Sequence, residues 1–180
     1  MNTLQPDFSI NKYGLYARLV TEDDVDFILK LRTNKELTKN IHSTDNDREA
    51  QIEWIRNYKK REAEGRDYYF IFFKECIPVA LDRIYNIYSI YATPGSWIID
   101  PQHSSFELAL ATSLINGYIM FHLLGVELSV YDVRKKNKQV VKFHKLMGAK
   151  IFTESDIDYF FYKNRKIYDE SVEKYSKFLV

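Results

Sequence analysis

The sequence predicts an α/β protein whose mixed sheet carries helices on both faces. Three observations predict it. The stretch YYFIFF, Tyr68 to Phe73, is apolar without a break, as a central strand must be. Several segments of helical periodicity carry their own start and stop residues. Strands and helices follow one another in the order β-α-α-β-β-β-α-β-α-β-β, which a single layered sheet accommodates.

The elements follow in order. LYARLV, Leu15 to Val20, reads as the first strand. Thr21 then caps a helix with acids in its first turn, and Val25, Ile28 and Leu31 continue at helical spacing. A polar stretch follows around Asn40 to Thr44. A second helix is predicted from about Asp47 to Glu64, with Ile52, Ile55 and Tyr58 on one face and Gly65 as its stop. Tyr68 to Phe73, Pro78 to Tyr88 and Gly95 to Ile99 give three strands. A long helix runs from Ser104 to Leu124 and stops at Gly125. VELSVY, Val126 to Tyr131, alternates like a strand. Asn137 to Met147 is a helix closed by Gly148. AKIFTE and DYFFYKN make a final antiparallel pair, and Asp169 to Leu179 forms a short terminal helix.

Composition narrows the function classes. A chain of 180 residues is expected to be one domain over 1–180, and at that size roughly 70% of the unfolded surface is buried. The formal net charge of +1 provides no overall field for nucleic acid or an anionic membrane. Cys76 is the single cysteine, so no internal disulfide forms, which fits a reducing cytoplasm. The start MNTLQPDFSINKYG lacks a basic region followed by an apolar one, so no signal peptide is expected. Phe106 to Val126 is the most apolar segment. Glu107, Asn116 and His122 interrupt it, and it reads as a buried helix rather than a membrane span.

Three features can carry chemistry. In IIDPQHSSFELAL, Ile98 to Leu110, a strand runs into a helix whose Ser104-Ser105-Phe106-Glu107 fits the S-x-x-E capping box. The free amides of a first turn attract anions, whereas the Glu107 charge opposes them. This is either an anion site or a well-capped buried helix. In RKKNKQVVKFHKLMG, Arg134 to Gly148, the residues Asn137, Val140, His144 and Met147 share one helix face that should point inward. His144 is either a packed core residue or an acid or base near neutrality. Arg134, Lys135, Lys136, Lys138, Lys142 and Lys145 form a basic cluster: a solvated face, or a set of phosphate ligands.

The order and spacing of these elements, over about Leu15 to Ile167, resemble the GNAT superfamily of acetyl-CoA-dependent N-acetyltransferases. YARLVTEDDVDFILKLR is similar to that family's first strand and helix, GSWIIDP to its fourth strand, and NKQVVKFHKLMGAKIF to its closing helix and strand. Three departures stand out. The family's Q/R-x-x-G-x-G/A pyrophosphate loop appears as Gln102-His103-Ser104-Ser105-Phe106-Glu107, without either glycine. The family's frequent tyrosine acid falls at His144, and Thr93-Pro94 stands where a glutamate base is often found.

The resemblance implies a mostly antiparallel sheet splayed at the fourth strand. It also implies acetyl-CoA as acyl donor and a primary amine as acceptor, with FHK-x-x-GA pointing to the branch that modifies nucleotide-linked amino sugars. In that scheme Trp97, Ile98 and Ile99 supply backbone to the cofactor and the oxyanion. Ser104, Ser105 and Phe106 hold the pyrophosphate. Asn137 holds the cofactor or orients its helix. His144 protonates the leaving thiolate or relays a proton. Asp82 binds or deprotonates the amine, or is an edge residue in solvent. His42 borders the acceptor, and no metal is expected. A cytoplasmic monomer or homodimer fits. A ribosomal-protein-type N-terminal acetyltransferase and a catalytically inactive GNAT-like binding module remain open as alternatives.

Overall fold

The computed structural model describes residues 2–39 and 44–179. Eight strands form a sheet in the order β1-β2-β3-β4-β5-β6-β8-β7. They are β1 (Ser9–Lys12), β2 (Leu15–Leu19), β3 (Asp67–Lys74), β4 (Ile77–Tyr85), β5 (Tyr91–Ile99), β6 (Leu128–Arg134), β7 (Lys150–Glu154) and β8 (Asp158–Asn164). The helices are α1 (Val25–Arg32), the single turn α2 (Lys35–Thr38), α3 (Arg48–Ala63), α4 (Phe106–Tyr118), α5 (Lys138–Leu146) and α6 (Arg165–Tyr175). α4 runs on as a π-helical stretch over Ile119–Leu124 and ends at left-handed Gly125. Every neighbouring pair of strands is antiparallel except β5 and β6.

The unbroken YYFIFF run has a simple cause: β3 is buried on both faces. Tyr68, Phe70 and Phe72 pack with Leu110, Leu114 and Phe121 on the α4 side. Tyr69 and Ile71 pack with Ile28, Ile55 and Tyr58 on the α1–α3 side. The helix boundaries near Asp47 and Gly65 fall where the sequence predicts them. The Asp47 side chain accepts from the Ala50 amide, and Gly65 takes a φ of +72° that a side chain would strain. The apolar Phe106–Leu124 segment is a core helix, with Leu110, Leu114, Ile115 and Ile119 buried.

β5 starts at Tyr91 rather than Gly95 and α6 at Arg165 rather than Asp169, and three further expectations need correction for a local cause. First, β1 precedes the predicted first strand, joined to it by Tyr13 and Gly14 at φ of +54° and +73°. Such a left-handed pair matches the twist of a tight hairpin. Second, the long helix begins at Phe106, capped by Ser105 rather than Ser104: Ser105 Oγ accepts from the Leu108 amide at 3.1 Å. Buried Asp100, held by Lys30 at 2.6 Å, starts a 3-10 turn over Pro101–His103 that displaces the cap by one residue. Third, the strand predicted to reach Tyr88 ends at Tyr85, because Asn86 turns the chain at φ +48°.

β5 is where the sheet opens. It pairs with β6 only through Tyr91↔Leu128 and Ala92↔Ser129, while its pairing with β4 continues to Ile99. Between the pairs Arg83↔Gly95 and Leu81↔Ile98, Asp82 alone faces both Ser96 and Trp97. This two-against-one bulge, with Ser96 at φ +55°, bends β5 away from β6. Counted from Leu15, β5 is the fourth strand, so the expected splay is present.

The close contact of α4 with α6 depends on Gly117. A Cβ there would sit 2.5 Å from the Tyr168 ring, whose hydroxyl donates to the Leu114 carbonyl at 2.9 Å. Gly117→Ala is expected to lower stability, because overpacking costs about 1–3 kcal/mol while alanine regains at most about 1 kcal/mol in a helix. The check is the midpoint of urea denaturation. An unchanged or higher midpoint would mean that the Tyr168 ring moves freely.

Candidate active site

A cavity of about 840 Å³ runs through the splay. On the α1–α3 side Arg32, Trp54 and Arg83 line it. On the other side its walls are Trp97, Asn137, Val140 and His144, and its floor includes Asp82, Asn116, Ser129, Tyr131 and Lys163. The period of two along β6 and β8 explains the floor. Ser129 lies opposite Lys163 and Tyr131 opposite Phe161, so all four present one face of the sheet.

His144 lines this cavity, as its stripe predicts. Its Nδ1 lies 3.0 Å from the Tyr131 hydroxyl, and its ring packs among Trp97, Phe143 and Phe161. Burial, with a smaller effect from the Lys163 charge, pulls its pKa down to about 3. The imidazole is therefore neutral throughout the physiological range. Burial also raises the Tyr131 hydroxyl, so the phenol stays protonated.

Asp82 is not an edge residue in solvent. It is 4% exposed and points towards α4, where one carboxylate oxygen accepts from Asn116 Nδ2 at 2.8 Å and the other from the Arg83 amide at 2.8 Å. Burial raises its pKa well above the usual carboxylate range, against the opposing pull of both hydrogen bonds.

The predicted cofactor residues divide. Trp97 and Asn137 line the cavity. The Trp97 indole donates to Thr112 Oγ1 at 3.1 Å, and its ring lies against Phe143. Asn137 caps α5. Ile98 is buried in the α1–α3 core and Ile99 packs on the opposite side, so these two could offer only backbone. Ser104, Ser105 and Phe106 are exposed at the start of α4, outside the cavity lining. There the exposed Glu107 carboxylate is held below its usual range by its own amide and by the Ser105 hydroxyl. His42 falls outside the described residues.

Of the basic cluster only Arg134 lines the cavity, and it pairs with Asp158 at 3.1 Å. Lys135 pairs with Glu154 and Lys145 sits over the Tyr159 ring, while Lys136, Lys138 and Lys142 are exposed. The charge run is mainly a solvated face. The cations that do meet the cavity come from elsewhere. Arg83 lies over the rings of Trp54 and Tyr85 and is held by Asp67, which also binds Arg61 at 2.9 Å. Lys163 is buried on β8. Its place in DYFFYKN, two residues beyond buried Phe161, was the readable sign that it faces inward.

No family model and no curated protein matches this chain. Solved structures do. The apo structure of FdhC, a nucleotide-linked sugar GNAT, is similar at a TM-score of 0.87 and 35% identity, covering 97% of this chain and 99% of that one. Spermidine N-acetyltransferase from Vibrio cholerae, in complex with CoA and spermine, matches at a TM-score of 0.74 and 16% identity over 87% of this chain and 99% of that one. Ribosomal-protein-S5-alanine acetyltransferase from Vibrio fischeri matches at 0.77 and 13% over 88% of this chain and 97% of that one. The last two speak for the fold alone. The first shares more than a third of its residues with this chain along nearly the whole of both, so the chain belongs to the GNAT superfamily of N-acetyltransferases.

Proposed function

We propose that the protein transfers an acetyl group from acetyl-CoA to the primary amine of a nucleotide-linked amino sugar. The observation that carries this reading is the near full-length, 35% identical likeness to a nucleotide-linked sugar GNAT. The cavity supports it. Arg32, Lys39, Arg83, Arg134 and Lys163 line it against Asp45, Asp47, Asp82 and Asp132. With the Asp82 carboxyl shifted towards its neutral form, cations outnumber anions, which suits a diphosphate. Trp54 and Tyr85 offer ring faces beside Arg83.

In this reading the edge of β5 beyond Ala92, unpaired on its β6 side, is where the thioester arm would dock. A backbone N–H among Trp97 to Ile99 would meet the developing oxyanion. The cavity walls bring amine and thioester together, which removes much of the entropic barrier. Asn137 orients α5 and, with it, His144. Since His144 is neutral, it protonates the leaving sulfur as a relay: Nε2–H is given up while Nδ1 takes the Tyr131 proton. The amides at the start of α4 would hold the pyrophosphate in place of Glu107. A cytoplasmic location fits this donor.

Two measurements test the proposal. A donor at about 100 times its dissociation constant adds roughly 2.7 kcal/mol of stability, so millimolar acetyl-CoA should raise Tm by roughly 5–10 °C. Thiol release is then followed with a panel of nucleotide-linked amino sugars and, in parallel, short peptides with free α-amino groups. Turnover with a sugar nucleotide is the expected result. Turnover with peptides alone would replace the sugar by a protein N-terminus, and an unmoved Tm would remove the donor.

A further inference from the structure

Lys163 is an anomaly on the cavity floor. It is 8% exposed, and its ammonium has no hydrogen-bond or ion-pair partner among the described residues. Lysine is rarely buried so fully without a partner, because an unpaired buried charge is expensive. The side chain lines the cavity rather than filling a core, and Asn116, which lines the same cavity, has its Oδ1 buried without a partner. The β6–β8 register sets Lys163 and Tyr131 on one face as diagonal neighbours, within reach of long side chains at a typical spacing of about 7–8 Å. Tyr131 in turn touches His144 at 3.0 Å.

We propose that Lys163 is a catalytic base: its Nζ takes the proton that the acceptor ammonium must lose before its nitrogen can attack. The proposal rests on the acyl-transfer reading above. The proton balance closes with this chain's own groups. R–NH3⁺ and Lys163–NH2 give R–NH2 and Lys163–NH3⁺. The C–N bond forms and the C–S bond breaks. The proton shed by nitrogen in the tetrahedral intermediate reaches sulfur through His144 and Tyr131. Lys163–NH3⁺ releases its proton to water after the amide leaves.

Burial agrees with this role, lowering the Lys163 pKa to about 8. Roughly a tenth of the protein then carries the free amine at pH 7. The titratable groups that share the cavity are Asp82 from β4 and Tyr131 from β6 on the floor and His144 from α5 in the wall. Asp132 and Arg134 of β6 line the cavity as well. α4 presents the uncharged Ser113 and Asn116, and on α6 the Tyr168 hydroxyl is bonded to the Leu114 carbonyl.

The test uses two substitutions and one titration. Lys163→Met keeps the linear side chain without charge, and Lys163→Arg keeps the charge but cannot accept a proton near neutrality. With any amine that the wild type acetylates, both should lower kcat/KM by roughly 10²–10⁴-fold. Each should retain the wild-type Tm shift with acetyl-CoA. The wild-type inflection near pH 8 should be missing from both profiles. Wild-type rates in either variant overturn the proposal, and recovery in Lys163→Arg alone would make the residue a source of charge. An NMR titration of ¹³Cε-labelled lysines, assigned with Lys163→Met, needs no turnover and no correctly folded arginine variant. Lys163 should titrate well below the surface lysines; titration together with them overturns the proposal even if the acceptor remains unknown. A protein that turns over no amine would fail the acyl-transfer reading, while the titration would still decide whether Lys163 can act as a base.

Discussion

Replacing His144 by phenylalanine is expected to lower kcat by roughly 10²–10⁴-fold, the usual range for losing a proton-transfer group, with little change in Tm. Phenylalanine keeps a ring among Trp97, Phe143 and Phe161 but removes the nitrogen that meets Tyr131. The pH profile carries a second expectation. With its pKa near 3, His144 should produce no inflection in the range where a free imidazole titrates. A linked effect falls on stability. The unfolded chain binds a proton below about pH 6.5, whereas the folded chain refuses it until about pH 3. The His144 contribution is therefore complete above the unfolded value and is lost as pH falls towards the folded one. His144→Phe should remove that part of the acid sensitivity. Full activity in the variant would reduce His144 to a packing residue, and collapse of the fold would do so by another route.

Asp67→Ala should cause the largest loss of stability, about 3–5 kcal/mol, the range for breaking one side of a buried ion pair. Asp67 is 2% exposed and holds both Arg61 and Arg83. Truncation leaves two guanidinium groups facing one another across a methyl group beside Trp54. At roughly 2–4 °C per kcal/mol for a chain of this size, Tm should fall by roughly 6–20 °C. Arg83 also lines the cavity in which the proposed acceptor would bind, so KM for that acceptor should rise before the protein unfolds. Calorimetry at low and high salt gives the answer. A loss under about 1 kcal/mol would place the three residues among ordinary exposed pairs.

The sequence is easiest to read where local chemistry and tertiary packing agree. Thr21, Asp47, Gly65, Gly125 and Gly148 punctuate the chain at or near the element ends they announce. YYFIFF reads as a strand covered on both faces, and β3 is one. β1 went unread because four half-polar residues, SINK, carry almost no alternation; the pairing with β2 makes the strand. The one-residue shift of the α4 cap reflects two adjacent serines, of which the 3-10 turn started by Asp100 takes up Ser104 and leaves Ser105 as the cap. His144 could be found because its helix repeats every 3.6 residues. Asp82 and Asn116 could not be joined from sequence, since the hydrogen bond between them spans 34 positions. In the sequence Asn116 is a polar interruption of an apolar helix, with no sign of its partner. Lys163 sits on a strand whose alternation points inward, but lysine at such a position is ordinarily assigned to solvent.

The open flank of β5 has a consequence for how the protein behaves in a crowded solution. A strand with a bare row of amides and carbonyls normally invites another chain to zip onto it, and proteins guard such margins with charge, proline or cover. Here the margin lies inside a notch, with β6 and α5 opposite and Pro94 beside the mouth. A polypeptide strand would have to displace β6 or α5 to pair there, whereas in the proposed reaction the slim thioester arm, with its amide groups, would complete the ladder. The same geometry that leaves the sheet unfinished therefore shelters its bare margin from neighbouring chains.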